Sequence, residues 1–131
     1  MPFNIKVGEF VSVREDLSLT LNPRIHAVIK AQKLPFQTSW NLSKIGKKLA
    51  DEIAHYGEHR MEIFKEFGEE VEGNAWRVKP ENLAAFTARH TELLEVEVTV
   101  DVNPFTVSEF EKAEGITGDD LMACHAFIRE E

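Results

Sequence analysis

The sequence predicts an α+β fold, with one long amphipathic helix and two or three shorter helices packed with a small antiparallel β-sheet. Three observations support this class. A stretch without proline that ends at Phe67 carries apolar residues at intervals of three and four, which is the period of a helix. Valines alternate with polar residues from Val96 to Val102, which is the period of a strand. The other periodic stretches are short and bounded by proline or glycine.

The long helix is predicted to run from about Pro35 or Ser39 to Phe67. A helix of roughly 28 residues is about 40 Å long, which is more than a small domain needs. Gly68 suits the end of this helix. The stripe that we expect to face the core consists of Leu42, Ile45, Leu49, Ile53, Tyr56, Ile63 and Phe67.

Alternating residues near the start of the chain predict a β-hairpin. The alternation runs from Phe3 to Val13 and resumes from Leu17 to Leu21, on either side of the polar Arg14-Glu15-Asp16. A helix through residues 8–17 is the alternative.

A short helix is predicted to begin at Asn22-Pro23. Asparagine accepts hydrogen bonds from backbone N–H groups at a helix start, and proline fits the first helical position. Ile25, Val28 and Ile29 then share one face. We expect this helix to end at Lys33-Leu34-Pro35, because a proline disfavours α geometry in the residue before it.

The next stretch predicts a turn, a strand and a second amphipathic helix. Residues 69–75 are acidic and turn-like, and the pair Gly73-Asn74 suits a tight turn before a short strand over residues 75–79. Pro80 and Glu81 open the helix, whose apolar side contains Leu83, Phe86, His90, Leu93 and Leu94.

The strand Val96–Val102 is broken by Asn103-Pro104, and residues 107–110 are either a short strand or one helical turn. Thr117 is a plausible first residue of a closing helix, since Asp120 three residues later imitates a capping box. The apolar residues of that helix are Leu121, Met122, Cys124, Phe127 and Ile128.

Length and composition predict a single domain over residues 1–131, with 43% hydrophobic residues to form its core. The single cysteine, Cys124, allows no intramolecular disulfide, which favours a reducing and therefore cytoplasmic compartment. No basic start followed by a long apolar run is present, and no stretch approaches the length of a membrane span. We therefore expect neither a secretory signal nor a membrane partner.

The net charge of −8 is unevenly distributed along the chain. Residues 1–60 hold nine Lys/Arg and six Asp/Glu, whereas residues 61–131 hold six Lys/Arg and 17 Asp/Glu. The acidic half indicates a solvated surface, or a face that meets a basic partner or the basic part of another copy. Nucleic acid is a poor partner for it, because phosphates need Lys and Arg to replace their counterions.

We expect no metal and no other cofactor. Glu52, His55 and His59 are the weak candidates for a metal site, because spacings of three and four bring their side chains to neighbouring positions of the long helix. A di-metal bundle needs a second Glu-x-x-His, and a zinc peptidase needs a glutamate where this chain has Tyr56. We interpret both histidines as residues of a solvated face, with a metal enzyme as the alternative.

The sequence predicts no catalytic residue and hence no enzyme. Cys124 and His125 are adjacent, but neighbours on a helix point about 100° apart and do not pair. Cys124 lies among apolar residues and is interpreted as a small buried side chain. Glycine-rich phosphate loops, serine nucleophile motifs and Cys-x-x-Cys pairs are absent from the sequence.

Five residues are candidates for contacts with other proteins: Trp40, Trp76, Lys44, Lys47 and Lys48. Tryptophan is enriched at interface hot spots, although we favour a core location for both tryptophans, with Phe36 and Trp40 anchoring the start of the long helix. We interpret the lysines as a surface balanced by pairs with Asp51 and Glu52 four residues on, and contact with phosphate as the weaker alternative.

Several stretches share a layout with known sequences: Lys33-Leu34-Pro35 before a long helix through Leu42-Ser43-Lys44-Ile45, Lys79-Pro80-Glu81-Asn82-Leu83 with Phe86, Glu95-Val96-Glu97-Val98 with Pro104 and Phe105, and Asp120-Leu121-Met122 with Phe127-Ile128. In this layout the chain resembles an uncharacterised family of small tailed-bacteriophage proteins, over about three quarters of its length. Residues 1–24 depart from the family, which is more plainly helical there. The resemblance implies a phage or prophage origin and a non-enzymatic role, and it carries over no site residue.

Two functions follow as hypotheses. The first is a phage assembly or minor structural protein that binds other proteins and forms head-to-tail contacts with its own copies. The second is an acidic inhibitor of a host defence protein, in which residues 62–72 and 92–120 imitate the phosphates of nucleic acid. Either hypothesis implies the cytoplasm of an infected bacterial host, and the first also implies the virion.

Overall fold

The computed structural model describes residues 2–13, 19–71 and 75–129, and it confirms the α+β class. The long helix is α3, and the other elements are short. In chain order the elements are β1 (Phe3–Lys6), α1 (Val7–Phe10), β2 (Val11–Val13), β3 (Leu19–Leu21), α2 (Pro23–Ile29), α3 (Phe36–Phe67), β4 (Gly68–Val71), β5 (Ala75–Val78), a 3-10 turn (Pro80–Asn82), α4 (Leu83–Leu94), β6 (Glu97–Val100), β7 (Phe105–Thr106), a 3-10 turn (Val107–Phe110), α5 (Gly118–Ala123) and β8 (Ile128–Arg129).

Helix α3 confirms the predicted long helix and extends it to 32 residues, which is about 48 Å of helix. Pro35 is its N-cap residue, with a ψ of 144° outside the helical range, so the helix begins at Phe36. The predicted apolar stripe supplies most of the side that faces the core. The buried residues of α3 are Thr38, Leu42, Ile45, Leu49, Tyr56 and Ile63.

Among the described residues, the strands form four separate two-stranded sheets, of which three are antiparallel and one, β7 with β8, is parallel. Strand β1 pairs with β6, so that Phe3 lies opposite Val100 and Ile5 opposite Val98. These four side chains are buried. The pairing of distant strands therefore closes one side of the core.

The predicted N-terminal hairpin is correct only for β2 and β3, where Val11 pairs with Leu21. Residues 3–6 belong to another sheet, because the helical turn α1 separates them from β2. Val7 and Phe10 are both buried, and a strand would point two residues three positions apart to opposite faces. The alternative of a helix through residues 8–17 is wrong, since residues 11–13 are a strand. Residues 14–18 lie outside the described residues.

Helix α2 begins as predicted and ends earlier than predicted. The side chain of Asn22 accepts a hydrogen bond from the backbone N–H of Arg24 at 2.9 Å, which confirms the N-cap. The helix ends at Ile29, several residues before Pro35. Gln32 exchanges backbone hydrogen bonds with Glu114, and this bridge takes the chain out of helical geometry.

Residues 69–71, predicted as part of a turn, are instead strand β4. In the β4–β5 register Glu69 lies opposite Arg77, and their side chains form an ion pair at 2.5 Å. A hydrogen bond and the charge of Arg77 lower the pKa of Glu69. The acidic run therefore forms a strand in which Arg77 offsets the charge of Glu69. Gly73 and Asn74 lie outside the described residues, while the predicted strand after them is confirmed as β5.

The remaining predicted elements are found with small changes. The backbone N–H of Asp120 donates to the Thr117 hydroxyl at 3.2 Å and the Asp120 carboxylate accepts from the backbone N–H of Thr117, which confirms the capping box of α5. Residues 107–110 are a 3-10 turn, and the last predicted helix ends at Ala123, so that Ile128 lies in β8. Leu83 is exposed, contrary to its place in the predicted apolar side of α4.

One buried cluster joins α3 to the β1–β6 pair and to the C-terminal turn. Phe127 is fully buried in it and lies 5.2 Å from Phe3 and 6.3 Å from Phe105, measured between ring centroids. Of the helices in the described ranges, none combines the length and apolar character needed to cross a membrane.

The junction between α3 and β4 depends on a glycine. An added Cβ at Gly68 would lie 2.7 Å from the carbonyl oxygen of Phe64 and 2.8 Å from that of Arg77. Both atoms belong to the backbone and cannot rotate away. We therefore predict that Gly68→Ala lowers the free energy of unfolding by about 1–3 kcal/mol, as overpacking generally does.

Urea denaturation measures this change, and Gly118→Ala is the matched control. An added Cβ at Gly118 meets nothing within 4 Å, so its effect should stay within about 0.5 kcal/mol. Equal stability of the two variants would contradict the tight junction.

Candidate interaction surface

Helix α3 presents one long exposed side to solvent. Apart from the adjacent Met61 and Glu62, the residues on this side follow each other at spacings of three and four, and all of them are exposed. We call this set the outer face of α3: Phe36, Trp40, Lys44, Lys47, Ala50, Ala54, Glu58, Met61, Glu62 and Lys65.

Two aromatic side chains stand at the start of the outer face. Phe36 is 80% exposed and Trp40 is 54% exposed, and their rings stack with centroids 6.3 Å apart. The predicted core location of Trp40 is therefore wrong. The helical period explains the result, because Trp40 lies two residues before the buried Leu42 and so about 200° around the helix from it.

Contacts from the C-terminal half hold the start of α3 in place. The hydroxyl of Thr38 is buried and donates to the carboxylate of Glu109 at 2.8 Å. The other oxygen of Glu109 accepts from the backbone N–H of Thr106, also at 2.8 Å. Lys33, which has a positive φ of 61°, pairs with Glu114 at 2.7 Å. The two exposed aromatic rings therefore belong to a helix start that contacts from the C-terminal half hold in place.

The three lysine candidates differ in their pairing. Lys48 forms the predicted ion pair with Glu52, at 3.0 Å. The predicted pair of Lys47 with Asp51 is not found among the ion pairs of the described residues. Lys44 and Lys47 lie on the outer face and are exposed. A partner could therefore contact Lys44 and Lys47 without breaking an ion pair such as that of Lys48.

The charges of α3 change sign along its length. Residues 36–50 hold three lysines and no Asp or Glu. Residues 51–67 hold five Asp/Glu and two Lys/Arg. On the outer face itself, Phe36, Trp40 and two lysines come first, and the two glutamates Glu58 and Glu62 follow before Lys65.

The second tryptophan candidate, Trp76, lies in β5 by its backbone, opposite Glu70. Its side chain lies outside the described part of the structure.

The candidate metal residues are all on α3 but do not form a set of three ligands. His55 and His59 are exposed, as predicted, and their Nε2 atoms are 3.2 Å apart. Glu52 is held by Lys48 instead. Within the described ranges no group of three or more His, Cys, Asp and Glu side chains is placed to share a metal ion.

Next to these histidines, a buried tyrosine joins α3 to α4. The hydroxyl of Tyr56 lies 2.8 Å from Nε2 of His90. Burial raises the pKa of Tyr56 and lowers the pKa of His90, and the charge of Arg60 lowers both. His90 also stacks on Phe86, with ring centroids 5.7 Å apart. The environment therefore favours a neutral imidazole that completes the contact between the helices.

Cys124 is fully buried, which confirms its interpretation as a small core side chain. Burial, together with the charge of Asp120, raises the pKa of its thiol to about 12. The neighbouring His125 points to Glu9 instead, at 3.5 Å. The thiol therefore stays protonated at neutral pH and is a poor nucleophile.

Comparisons of the chain with protein-family models, with curated proteins and with solved structures found no match.

The lowered pKa of His90 makes folding depend on pH. The unfolded chain takes up a proton on this residue at a higher pH than the folded chain does, so protonation favours unfolding. We predict that the free energy of unfolding falls as the pH drops from about 7.5 to about 5.5, through the ordinary histidine range. His90→Gln should flatten this dependence in urea titrations.

His26→Gln is the control, because His26 is exposed on α2. It should keep the pH dependence of the wild type. An unchanged slope in His90→Gln would show that other groups cause the dependence.

Proposed function

We propose that the protein is a non-enzymatic, phage-type interaction protein that associates with other proteins along the outer face of α3, and first of all with a second copy of itself. Its role is in virion or tail assembly or as a minor structural component. One observation carries the proposal: a single exposed helix face is aromatic and basic at its start and acidic towards its end.

The exposed aromatic pair favours burial in a contact. Phe36 and Trp40 are large rings that expose more than half of their surface, on a helix start that the bond between Thr38 and Glu109 holds to the C-terminal half. Removing apolar surface from water is favourable by about 25 cal/mol per Å². Tryptophan is also among the residues that contribute most at interfaces. Because these contacts already hold the start of α3, association should lose little conformational entropy of the backbone there.

A second copy fits this face when the two helices run antiparallel. A two-fold axis near Ala50 and Ala54 then places the start of each helix against the end of the other. Both alanines are exposed and small, which allows the axes to approach to the usual separation of about 8–10 Å. Trp40 of one copy then lies near Met61 of the other, and both side chains are exposed in the single chain.

The same arrangement joins opposite charges. Lys44 and Lys47 of one copy approach Glu58 and Glu62 of the other, and the two-fold axis repeats these contacts. A parallel arrangement places lysines against lysines and carboxylates against carboxylates, which is unfavourable. The charges therefore favour the antiparallel orientation of two copies. They would orient another protein with a similar acidic surface in the same way.

The inhibitor hypothesis has less support. A mimic of nucleic acid needs carboxylates that are open to a basic partner. Several carboxylates of the acidic half are already paired with cations: Glu66 with Arg89 at 3.1 Å, Glu95 with Lys6 at 2.7 Å, Glu114 with Lys33 at 2.7 Å and Asp120 with Arg24 at 3.2 Å.

The phage setting is supported by the resemblance of the sequence alone. The genes next to its own gene test it independently of the association. Tail or capsid genes on either side would support the proposed role, and a metabolic operon would contradict it.

Charge reversal tests the antiparallel association. We expect the double variants Lys44→Glu/Lys47→Glu and Glu58→Lys/Glu62→Lys each to weaken self-association by about tenfold or more, because like charges then face each other. An equimolar mixture of the two variants should associate again, since the opposite charges meet across the mixed pair. Sedimentation equilibrium at about 20 mM and about 500 mM salt measures both effects, and high salt should weaken the wild type.

Substitution of Trp40 is a second test of the association. Trp40→Ala should weaken association by about tenfold. Met122→Ala is the matched control, because Met122 is a 74% exposed apolar residue on α5 and away from the outer face. A wild type that stays monomeric at about 0.5 mM in low salt, where a dissociation constant of about 1 mM is detectable, would rule out self-association.

A further inference from the structure

His55 and His59 stand one turn apart on α3 with their rings turned towards each other. The ring centroids are 4.7 Å apart and the ring planes are nearly perpendicular, at 88°. The two Nε2 atoms are 3.2 Å apart. Two ring nitrogens at this distance need a cation between them or a proton on one of them, because two lone pairs that face each other repel.

The separation of the Nε2 atoms is that of two ligands on one metal ion. Imidazole nitrogens bind zinc at about 2.0–2.1 Å. Two such bonds whose nitrogens lie 3.2 Å apart enclose an angle of about 100° at the ion, between the octahedral and tetrahedral values. We infer that His55 and His59 form a two-histidine chelate for a divalent transition-metal ion such as Zn²⁺ or Ni²⁺.

Carboxylates next to the outer sides of the rings support this assignment. Oε2 of Glu58 lies 4.0 Å from Nδ1 of His55, and Oε2 of Glu62 lies 3.6 Å from Nδ1 of His59. A small side-chain movement would turn both contacts into hydrogen bonds. A carboxylate at Nδ1 favours the proton on that nitrogen and leaves the lone pair of Nε2 to the metal, as is common for metal-binding histidines. With the proton on Nδ1 of both rings, both Nε2 lone pairs would be free for the ion.

The surroundings leave room for the other ligands of the ion. The two histidines line a cavity of about 210 Å³, whose other walls are Val7, Glu52, Tyr56, Leu93, Val96 and Val98. Tyr56 directs its hydroxyl to His90 and Glu52 pairs with Lys48, so neither is turned to the ion. Water completes the coordination in this arrangement. Imidazole as the only protein ligand selects transition metals over Mg²⁺ and Ca²⁺, which prefer oxygen.

Equilibrium dialysis of protein without a histidine tag tests the site, with ZnCl₂ and NiCl₂ as probes. We expect one ion per chain in the wild type. His55→Gln and His59→Gln should each weaken binding by about tenfold or more, because a single remaining imidazole cannot chelate. His26→Gln and His125→Gln are the matched controls, since both histidines are exposed and lie on other elements, and they should bind as the wild type does.

The result also separates this site from the proposed association along α3. Trp40→Ala, which weakens association, should retain the full affinity for Zn²⁺ and Ni²⁺. Failure of the wild type to bind either ion at about 100 μM, or equal affinity in the double variant His55→Gln/His59→Gln, would overturn the assignment. Circular dichroism verifies that the variants keep their helices, which we expect because both side chains are largely exposed.

Discussion

The burial of one stripe along a single 32-residue helix is the constraint on which the rest of the structure depends. A domain of 131 residues has a radius of gyration of about 14 Å and hence a diameter of about 36 Å, which is less than the length of α3 of about 48 Å. The short elements pack along the buried stripe of the helix, which leaves its other side exposed. The exposed outer face is the geometric consequence of placing so long a helix in so small a chain.

Local patterns predicted most of the elements, and strand pairing accounts for the errors at β1 and β4. The period of α3, the N-cap at Asn22 and the capping box at Thr117 each depend on residues within a few positions, and all three are confirmed. Strand β1 was assigned to the wrong partner because β6, its true partner, is more than 90 residues away. The acidic strand β4 was missed for a related reason, since Arg77 makes it favourable only after the two strands meet.

For the candidate sites too, spacing along the sequence predicted some features and missed others. The sequence indicated Lys44, Lys47, His55 and His59, because spacing on a helix determines which side chains are neighbours. It favoured a buried Trp40, because tryptophan is apolar and lies close in sequence to buried residues. The angle between Trp40 and Leu42 around the helix was the signal that contradicted this location. Which Nε2 atoms approach each other, and which carboxylates lie behind them, follows from side-chain conformation and cannot be predicted from spacing.

Helix α3 passes into strand β4 without a loop, since its C-cap residue, Gly68, is already the first residue of the strand. The carbonyl of Phe67 accepts from the side chain of Asn82 at 3.1 Å and from the backbone N–H of Lys79 at 3.4 Å, which joins the end of the helix to the start of the next one. These contacts tie one end of α3 to α4, and the bond between Thr38 and Glu109 ties the other end to the C-terminal half. We therefore expect a partner bound at Phe36 to move together with the whole domain and not with a detached arm.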